Sequence, residues 1–188
     1  MKNMKFTLIG GDLRNVKLAS LLEERGNEVY TFGLEGGAGG KFFYRCNSMT
    51  EAFARGDIII GPIPFSQDGI KLNAPLHQAD VELQDILDNI PKGRLLIAGK
   101  VPADFVKKVA DKNVRIIDIM DRDDMAILNS IPTAEGAVQI AMEELPVTIH
   151  NCKVMVLGLG KVVLTLAVLL KNIGAKVLVV VRNSRDIS

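Results

Sequence analysis

The chain has no tryptophan, two cysteines and two histidines, and aromatic residues make up only 5% of it. Two cysteines so far apart, Cys46 and Cys152, exclude a disulfide framework and carry no metal-ligand spacing. They read as reduced structural thiols of a cytoplasmic protein. His77 and His150 each stand alone in the sequence and read as surface or capping residues rather than catalysts. Charge of one sign is missing too: 23 Lys and Arg against 22 Asp and Glu leave a net charge of +1. Without a basic excess there is no footprint for nucleic acid. No uncharged apolar run approaches the roughly eighteen residues that a bilayer span requires. The apolar run Phe6-Thr7-Leu8-Ile9 is too short for the core of a signal peptide and leads straight into Gly10-Gly11.

What is present is core material. Hydrophobic residues are 48% of 188, enough for one large domain or for one domain and part of another. Short apolar runs alternate with helical stretches, which is the pattern of βα units and a mostly parallel sheet. Strands are expected at Phe6–Ile9, Val29–Phe32, Asp57–Ile60, Leu95–Ala98 and Val114–Ile119. Helices are expected from Leu13 to about Arg25, with Asp12 as cap and Gly26 as stop, from Asp80 or Val81 to Asn89, and from Pro102 to Asp111. Residues 1–120 then form a flavodoxin-like α/β domain, a five-stranded parallel sheet in the order 2-1-3-4-5 with helices on both faces. Gly36-Gly37-Ala38-Gly39-Gly40 is followed by neither the Lys-Ser/Thr pair nor the helix start of a P-loop and reads as a mobile loop or linker. Residues 121–150 read as a helical connector, with Thr133 as N-cap of a helix from Ala134 to Leu145 that Pro146 ends.

Residues 151–188 carry the motif with chemistry in it. Lys153–Leu157 is an apolar strand, Gly158-Leu159-Gly160 follows, a helix runs from Lys161 to Ile173, and Lys176–Val181 is a second strand. This is the opening βαβ unit of a Rossmann NAD(P)-binding domain. Gly158 permits the tight turn, and Gly160 lets a pyrophosphate approach the positive end of the helix. The third fingerprint position holds Val163, which is expected to push the helix off the strand or tilt it. Past the second strand, Arg182-Asn183-Ser184-Arg185 suits the 2′-phosphate of NADP or is simply a solvated basic loop. The unit is incomplete: two strands and one helix leave apolar faces open. Leu164, Leu166, Val168, Leu169 and Leu170 make the helix apolar nearly all round, and self-association as a homodimer is expected.

With Asp121-Arg122-Asp123-Asp124, Asn129-Ser130-Ile131-Pro132-Thr133-Ala134-Glu135-Gly136 and Gly158-Leu159-Gly160 taken together, the whole chain resembles the dipicolinate synthase A-subunit family. Ile9-Gly10-Gly11-Asp12 and Thr148-Ile149-His150 fit the same pattern. The resemblance implies a two-domain NAD(P)-dependent dehydrogenase of a spore-forming bacterium. It would act in the mother cell with a flavoprotein-like B-subunit to make dipicolinate from the dihydrodipicolinate branch of lysine biosynthesis. The family pattern has a glycine where Val163 stands and continues past Ser188 into further Rossmann strands, so a fragment or truncated product is expected.

The implied substrate is a cyclic imine dicarboxylate, a small dianion that needs positive or hydrogen-bonding groups. Four substrate-binding candidates follow: Arg14 at the start of the first helix, Ser66 on the Gly61–Ser66 loop at a strand's carboxyl end, and Ser130 and Thr133 facing an interdomain cleft. Each has a plain structural alternative, as surface charge, turn residue or helix cap. Gly158, Gly160, Arg182 and Ser184 are the cofactor-binding candidates, for NADP or NAD. No residue stands out as a general acid or base. The rival reading is a non-catalytic module that docks the partner subunit.

Overall fold

A computed structural model describes residues 3–36 and 43–181. The chain divides into two compact units, Met1–Met120 and Asp121–Ser188.

In the first unit β1 (Lys5–Ile9), β2 (Glu28–Phe32), β3 (Tyr44–Arg45), β4 (Ile58–Ile60), β5 (Leu95–Ala98) and β6 (Arg115–Asp118) form one parallel sheet in the order β3-β2-β1-β4-β5-β6. The five expected strands stand in the expected order. The addition is β3, a two-residue edge strand against Tyr30 and Thr31 that is too short to read from periodicity. Side chains alternate across the sheet. On one face Phe6, Leu8 and Val29 pack with Val16 and Ala19 of α1 (Leu13–Glu24). On the other, Ile9, Ile59 and Leu96 pack with α2 (Met49–Arg55), α3 (Leu83–Asn89) and α4 (Ala103–Ala110). Burial on both faces explains why these strands are apolar throughout.

Helix α2 is also an addition to the sequence reading. Ser48 caps it, its Oγ accepting the Glu51 N–H at 3.1 Å, and the Glu51 carboxylate accepts the Asn47 N–H at 3.0 Å. That Ser-x-x-Glu spacing is a readable helix start. Thr7 ties α2 to the sheet: its buried hydroxyl donates to the Ala52 carbonyl at 2.7 Å. Helix α3 begins at Leu83, later than expected, because the segment before it pairs with the chain at Lys71. Of the glycine-rich loop, Gly37–Gly40 lies outside the described residues.

The second unit holds α5 (Asp123–Glu144), β7 (Lys153–Leu157), α6 (Lys161–Asn172) and β8 (Lys176–Val180). Here the expected helix start at Thr133 is corrected. Helix α5 is continuous through Pro132, and Thr133 lies inside it, its hydroxyl donating to the Asn129 carbonyl at 2.8 Å. The missing proline N–H costs one helical bond. Packing along α6 through Ser130, with Ala134 and Val138 also buried, holds the helix together across it.

The β7–β8 pair is parallel and two-stranded. Val154, Val156 and Val177 face Leu166, Leu169 and Leu170 of α6. The opposite face is open, with Met155 61% and Leu157 70% exposed. The apolar residues of α6 lie on both sides of it: Leu166, Leu169 and Leu170 pack in the core of this unit, and Val162, Leu164 and Val168 are exposed. Among the described residues no helix is long and apolar enough to cross a membrane.

Candidate functional site

In the first unit the chain leaves β1 through Gly10 (φ 60°) and Gly11 (φ 105°) and enters α1. Close approach requires the glycine at position 10, since a Cβ there would lie 2.7 Å from Leu72 Cδ2. The Gly11 N–H donates to the Asn73 carbonyl at 2.8 Å, which draws the 66–82 segment over this turn. The sheet reverses its winding between β1 and β4, and open α/β sheets place ligands at the carboxyl ends of strands at such a point.

Arg14 stands there. Asp12 caps α1, its Oδ1 accepting the Arg14 N–H at 2.9 Å. The same carboxylate grips the guanidinium: Nε lies 3.0 Å from Oδ1 and Nη2 2.8 Å from Oδ2. Nη2 also donates to the Ile63 carbonyl at 2.9 Å, so Arg14 and the loop after β4 meet. Arg14's hydrogen bond lowers the Asp12 pKa against the opposing effect of burial. The crevice beside them holds about 190 Å³ and, apart from Arg14 and Asn15, is apolar, with Leu18, Gly61, Ile97 and Ile119 in its walls. Because Asp12 offsets its charge, Arg14 offers directed donors rather than a net positive field, with Nη1 free of hydrogen-bond partners among the described residues.

Ser66 is not among the residues lining that crevice. It is nearly buried, and its hydroxyl donates to Asp68 Oδ1 at 3.1 Å and accepts the Gly69 N–H at 2.9 Å. Asp68 Oδ1 also takes the N–H groups of Ile70 and Lys71. Ser66 therefore shapes its own loop.

In the second unit Ser130 is 1% exposed, its hydroxyl 2.7 Å from Thr165 Oγ1 and donating to the Ile127 carbonyl at 2.6 Å. It joins α5 to α6. Gly158 adopts φ 110°, a conformation that favours glycine, and its N–H donates to the Val180 carbonyl at 2.8 Å. Gly160 caps α6 without any side-chain bond, and a Cβ there would meet nothing within 4 Å. The first N–H groups of α6 thus have no side-chain cap, and there is open space beside Gly160, two features that an approaching pyrophosphate requires. Val163 is part of the core of this unit, with Cγ2 3.5 Å from where a Cβ on Gly158 would lie. Its side chain fills the room that the fingerprint's third glycine leaves empty. Lys161, the first residue of α6, pairs with Asp123 at the start of α5. Arg182 and Ser184 lie outside the described residues.

One juxtaposition had no signal in the sequence. Glu35, just after β2, accepts a hydrogen bond from or shares a proton with His77, with Nδ1 2.7 Å from Oε2. The two are 42 positions apart, and no spacing rule connects them. Among the described residues no group of three or more His, Cys, Asp or Glu could hold a metal ion.

Fold and turn together define a class: a two-unit α/β protein whose first unit is a wound parallel sheet and whose second carries a Rossmann-type βαβ segment after a long helix. Residues 5–120 match the family model described as the N-terminal domain of the dipicolinate synthase A-subunit. The chain belongs to the dipicolinate synthase A-subunit family. It is 31% identical to the dipicolinate synthase A-subunit of Bacillus subtilis (strain 168) over all of its own length, and spans 64% of that protein. The crystal structure of the Bacillus subtilis A-subunit superposes with a TM-score of 0.78 over 98% of this chain and 63% of that one. The A-subunit structure from Bacillus halodurans gives 0.79 at 26% identity, over 97% and 63%. A transhydrogenase from Sinorhizobium meliloti, at 15% identity and a TM-score of 0.59 over 97% and 60%, shares the fold.

Proposed function

We propose that this chain serves as the dehydrogenase-type A-subunit of a dipicolinate synthase, binding a cyclic imine dicarboxylate from the dihydrodipicolinate branch. The observation that carries the reading is the meeting of Arg14 with the Ile63 carbonyl at the point where the sheet reverses. There a carboxylate of the substrate would accept from Nη1, with Asp12 fixing the plane of the guanidinium. Family membership supports the choice of substrate, and so does the largely apolar remainder of the crevice, which suits the face of a small ring. Residues 1–120 would form the substrate domain, residues 121–150 its connector, and residues 151–188 the opening of the cofactor domain.

The Gly158–Gly160 turn fits a dinucleotide: a positive-φ glycine, an uncapped helix start and open space at Gly160. Gly158 and Gly160 would hold the pyrophosphate of NADP or NAD, with Arg182 and Ser184 reaching the ribose end. When bound, the nicotinamide supplies a hydride acceptor. A flavoprotein-like B-subunit would complete the synthase in the cytoplasm of a sporulating mother cell, with the chain itself a homodimer. Ser66 and Ser130 act in this reading by shaping their surroundings, and Thr133 by bonding within α5.

The test is calorimetric titration with pyridine-2,6-dicarboxylate. Saturable binding is expected, weakened about tenfold or more by Arg14→Gln, as suits loss of a charge-assisted hydrogen bond. Equal binding by the parent chain and Arg14→Gln would remove Arg14 from the site. The rival reading, a non-catalytic docking module, draws on the open apolar face of β7–β8. Such a module would bind the partner flavoprotein-like polypeptide and neither dicarboxylate nor dinucleotide.

A further inference from the structure

We propose that His77, oriented by Glu35, is the proton-accepting residue of a ligand site over the carboxyl ends of β1 and β2. Its substrate would be a cyclic imine carrying carboxylates, and it would take the proton from the carbon next to the C=N bond. The substrate class rests on the function proposed above; the residues and their geometry do not, and this cleft is a second one that shares no lining residue with the Arg14 crevice.

Three features set this histidine apart. Its Nδ1 lies 2.7 Å from Glu35 Oε2, while Glu35 Oε1 accepts the Gly33 N–H at 3.0 Å, so the carboxylate is itself held. Its ring packs on Phe32 with centroids 5.0 Å apart, which leaves little freedom to rotate. Its backbone N–H bonds to the Ala74 carbonyl at 3.0 Å, and Gly36 N–H reaches the Leu76 carbonyl at 2.9 Å, so the two loops are tied on both sides of the pair. Burial pulls the Glu35 pKa up, but the hydrogen bonds from His77 and from the backbone outweigh it, so the carboxylate stays ionised in the neutral range.

An ionised carboxylate at Nδ1 selects the tautomer with the proton on that nitrogen and makes the other nitrogen, Nε2, the base. Nε2 has no hydrogen-bond partner among the described residues. His77 lines a cleft of about 320 Å³, large enough for a small ring, whose polar walls include Asp68, Lys71, Asn73, Gln78 and Asp80. Gln78 can donate to a carboxylate, as can the ammonium protons that Lys71 keeps beyond its ion pair with Asp80, while Asn73 is engaged with Gln67 and the Pro64 carbonyl.

The step balances without a redox partner. The C–H bond breaks and its proton goes to Nε2. The electron pair forms the ring C=C bond, the C=N π pair moves to nitrogen, and nitrogen takes a proton from water. The product is the enamine tautomer. Glu35 offsets the charge of the imidazolium formed on the way.

The test is hydrogen–deuterium exchange of a tetrahydropyridine dicarboxylate in D₂O, followed by proton NMR, with binding measured by calorimetry on the same samples. The intact chain is expected to speed exchange at the carbon beside the imine, and His77→Gln to slow it about 100-fold with binding within about threefold. Glu35→Gln, whose amide oxygen still accepts the Nδ1–H, should keep the tautomer seen in the ring ¹⁵N shifts yet slow exchange about tenfold. Glu35→Ala should lose that tautomer as well. Ligand that binds while its exchange is no faster than in buffer would overturn the role of His77 and leave the proposed function standing. Ligand that does not bind would overturn both. Melting temperatures of the variants check that each is folded; a His77→Gln chain that melts normally and exchanges normally overturns the proposal.

Discussion

The carboxylate of Asp12 serves two ends of Arg14 at once, accepting its backbone N–H at 2.9 Å and its Nη2 at 2.8 Å. One side chain therefore caps α1 and aims the guanidinium at Ile63. Asp12→Ala should destabilise the chain by about 1 kcal/mol through the lost cap. The Asp12 pKa is lowered on folding, so its contribution is fully present above the ordinary carboxylate value near 3.8 and is lost as pH falls through the folded value. Urea melts of parent and variant should differ at neutral pH and converge in strong acid. Equal stability at neutral pH would show that the cap contributes nothing.

Ser130→Ala tests whether that hydroxyl is structural. It leaves Thr165 Oγ1 without its partner between α5 and α6, and a loss of about 1 kcal/mol is expected. Thr165 can then give its proton to the Lys161 carbonyl 2.9 Å away, which limits the loss. Unchanged stability with weakened dicarboxylate binding would instead make Ser130 a ligand residue.

The two glycines of the turn between β7 and α6 should behave differently. Gly158→Ala places a side chain at φ 110° and should cost on the order of 1–3 kcal/mol. Gly160 has an ordinary φ of −72° with open space around it, so Gly160→Ala should fold normally. Thermal melts separate these outcomes, and equal melting of the two variants would contradict the geometry.

Cys46 is buried, and burial raises its pKa to about 11. At mildly alkaline pH its thiolate fraction is on the order of a thousandth, so alkylation should be slow in the folded chain and fast in denaturant. Iodoacetamide labelling followed by peptide mass spectrometry checks this. Rapid labelling of Cys46 under native conditions would mean that α2 opens readily.

The open face of β7–β8, with Met155, Leu157 and Leu178 exposed, should drive self-association. Burying about 600 Å² is worth about 15 kcal/mol at about 25 cal/mol per Å². Association itself costs about 4–15 kcal/mol, so a weak dimer is expected. Sedimentation at rising concentration should show it, and Met155→Lys with Leu178→Lys should abolish it. A parent chain that stays monomeric at high micromolar concentration would contradict the homodimer.

The five longer strands and their order were legible because each is an apolar run with Gly or Pro punctuation. Gly158-Leu159-Gly160 was legible because both flanking strands are short and regular. Helix α2 escaped despite its Ser48–Glu51 signal, since its seven residues are too few to establish a period. Thr133 read as a helix cap from its residue type, whereas α5 runs on through Pro132 and packs against α6. Arg14 could be placed from its neighbours, whereas its pairing with Asp12, which removes its net charge, could not. Glu35 and His77 were invisible as a pair: the fold brings them together only by laying the 66–82 segment across β1.

The central claim is that this chain carries a dinucleotide turn in addition to a family substrate domain, and titration of the purified chain with NADPH and NADH tests it most directly. Saturable binding of at least one of them is expected, lost in Gly160→Val, which folds but fills the space at the start of α6. No binding of either dinucleotide by a folded chain would contradict the dehydrogenase reading and leave the docking module in its place.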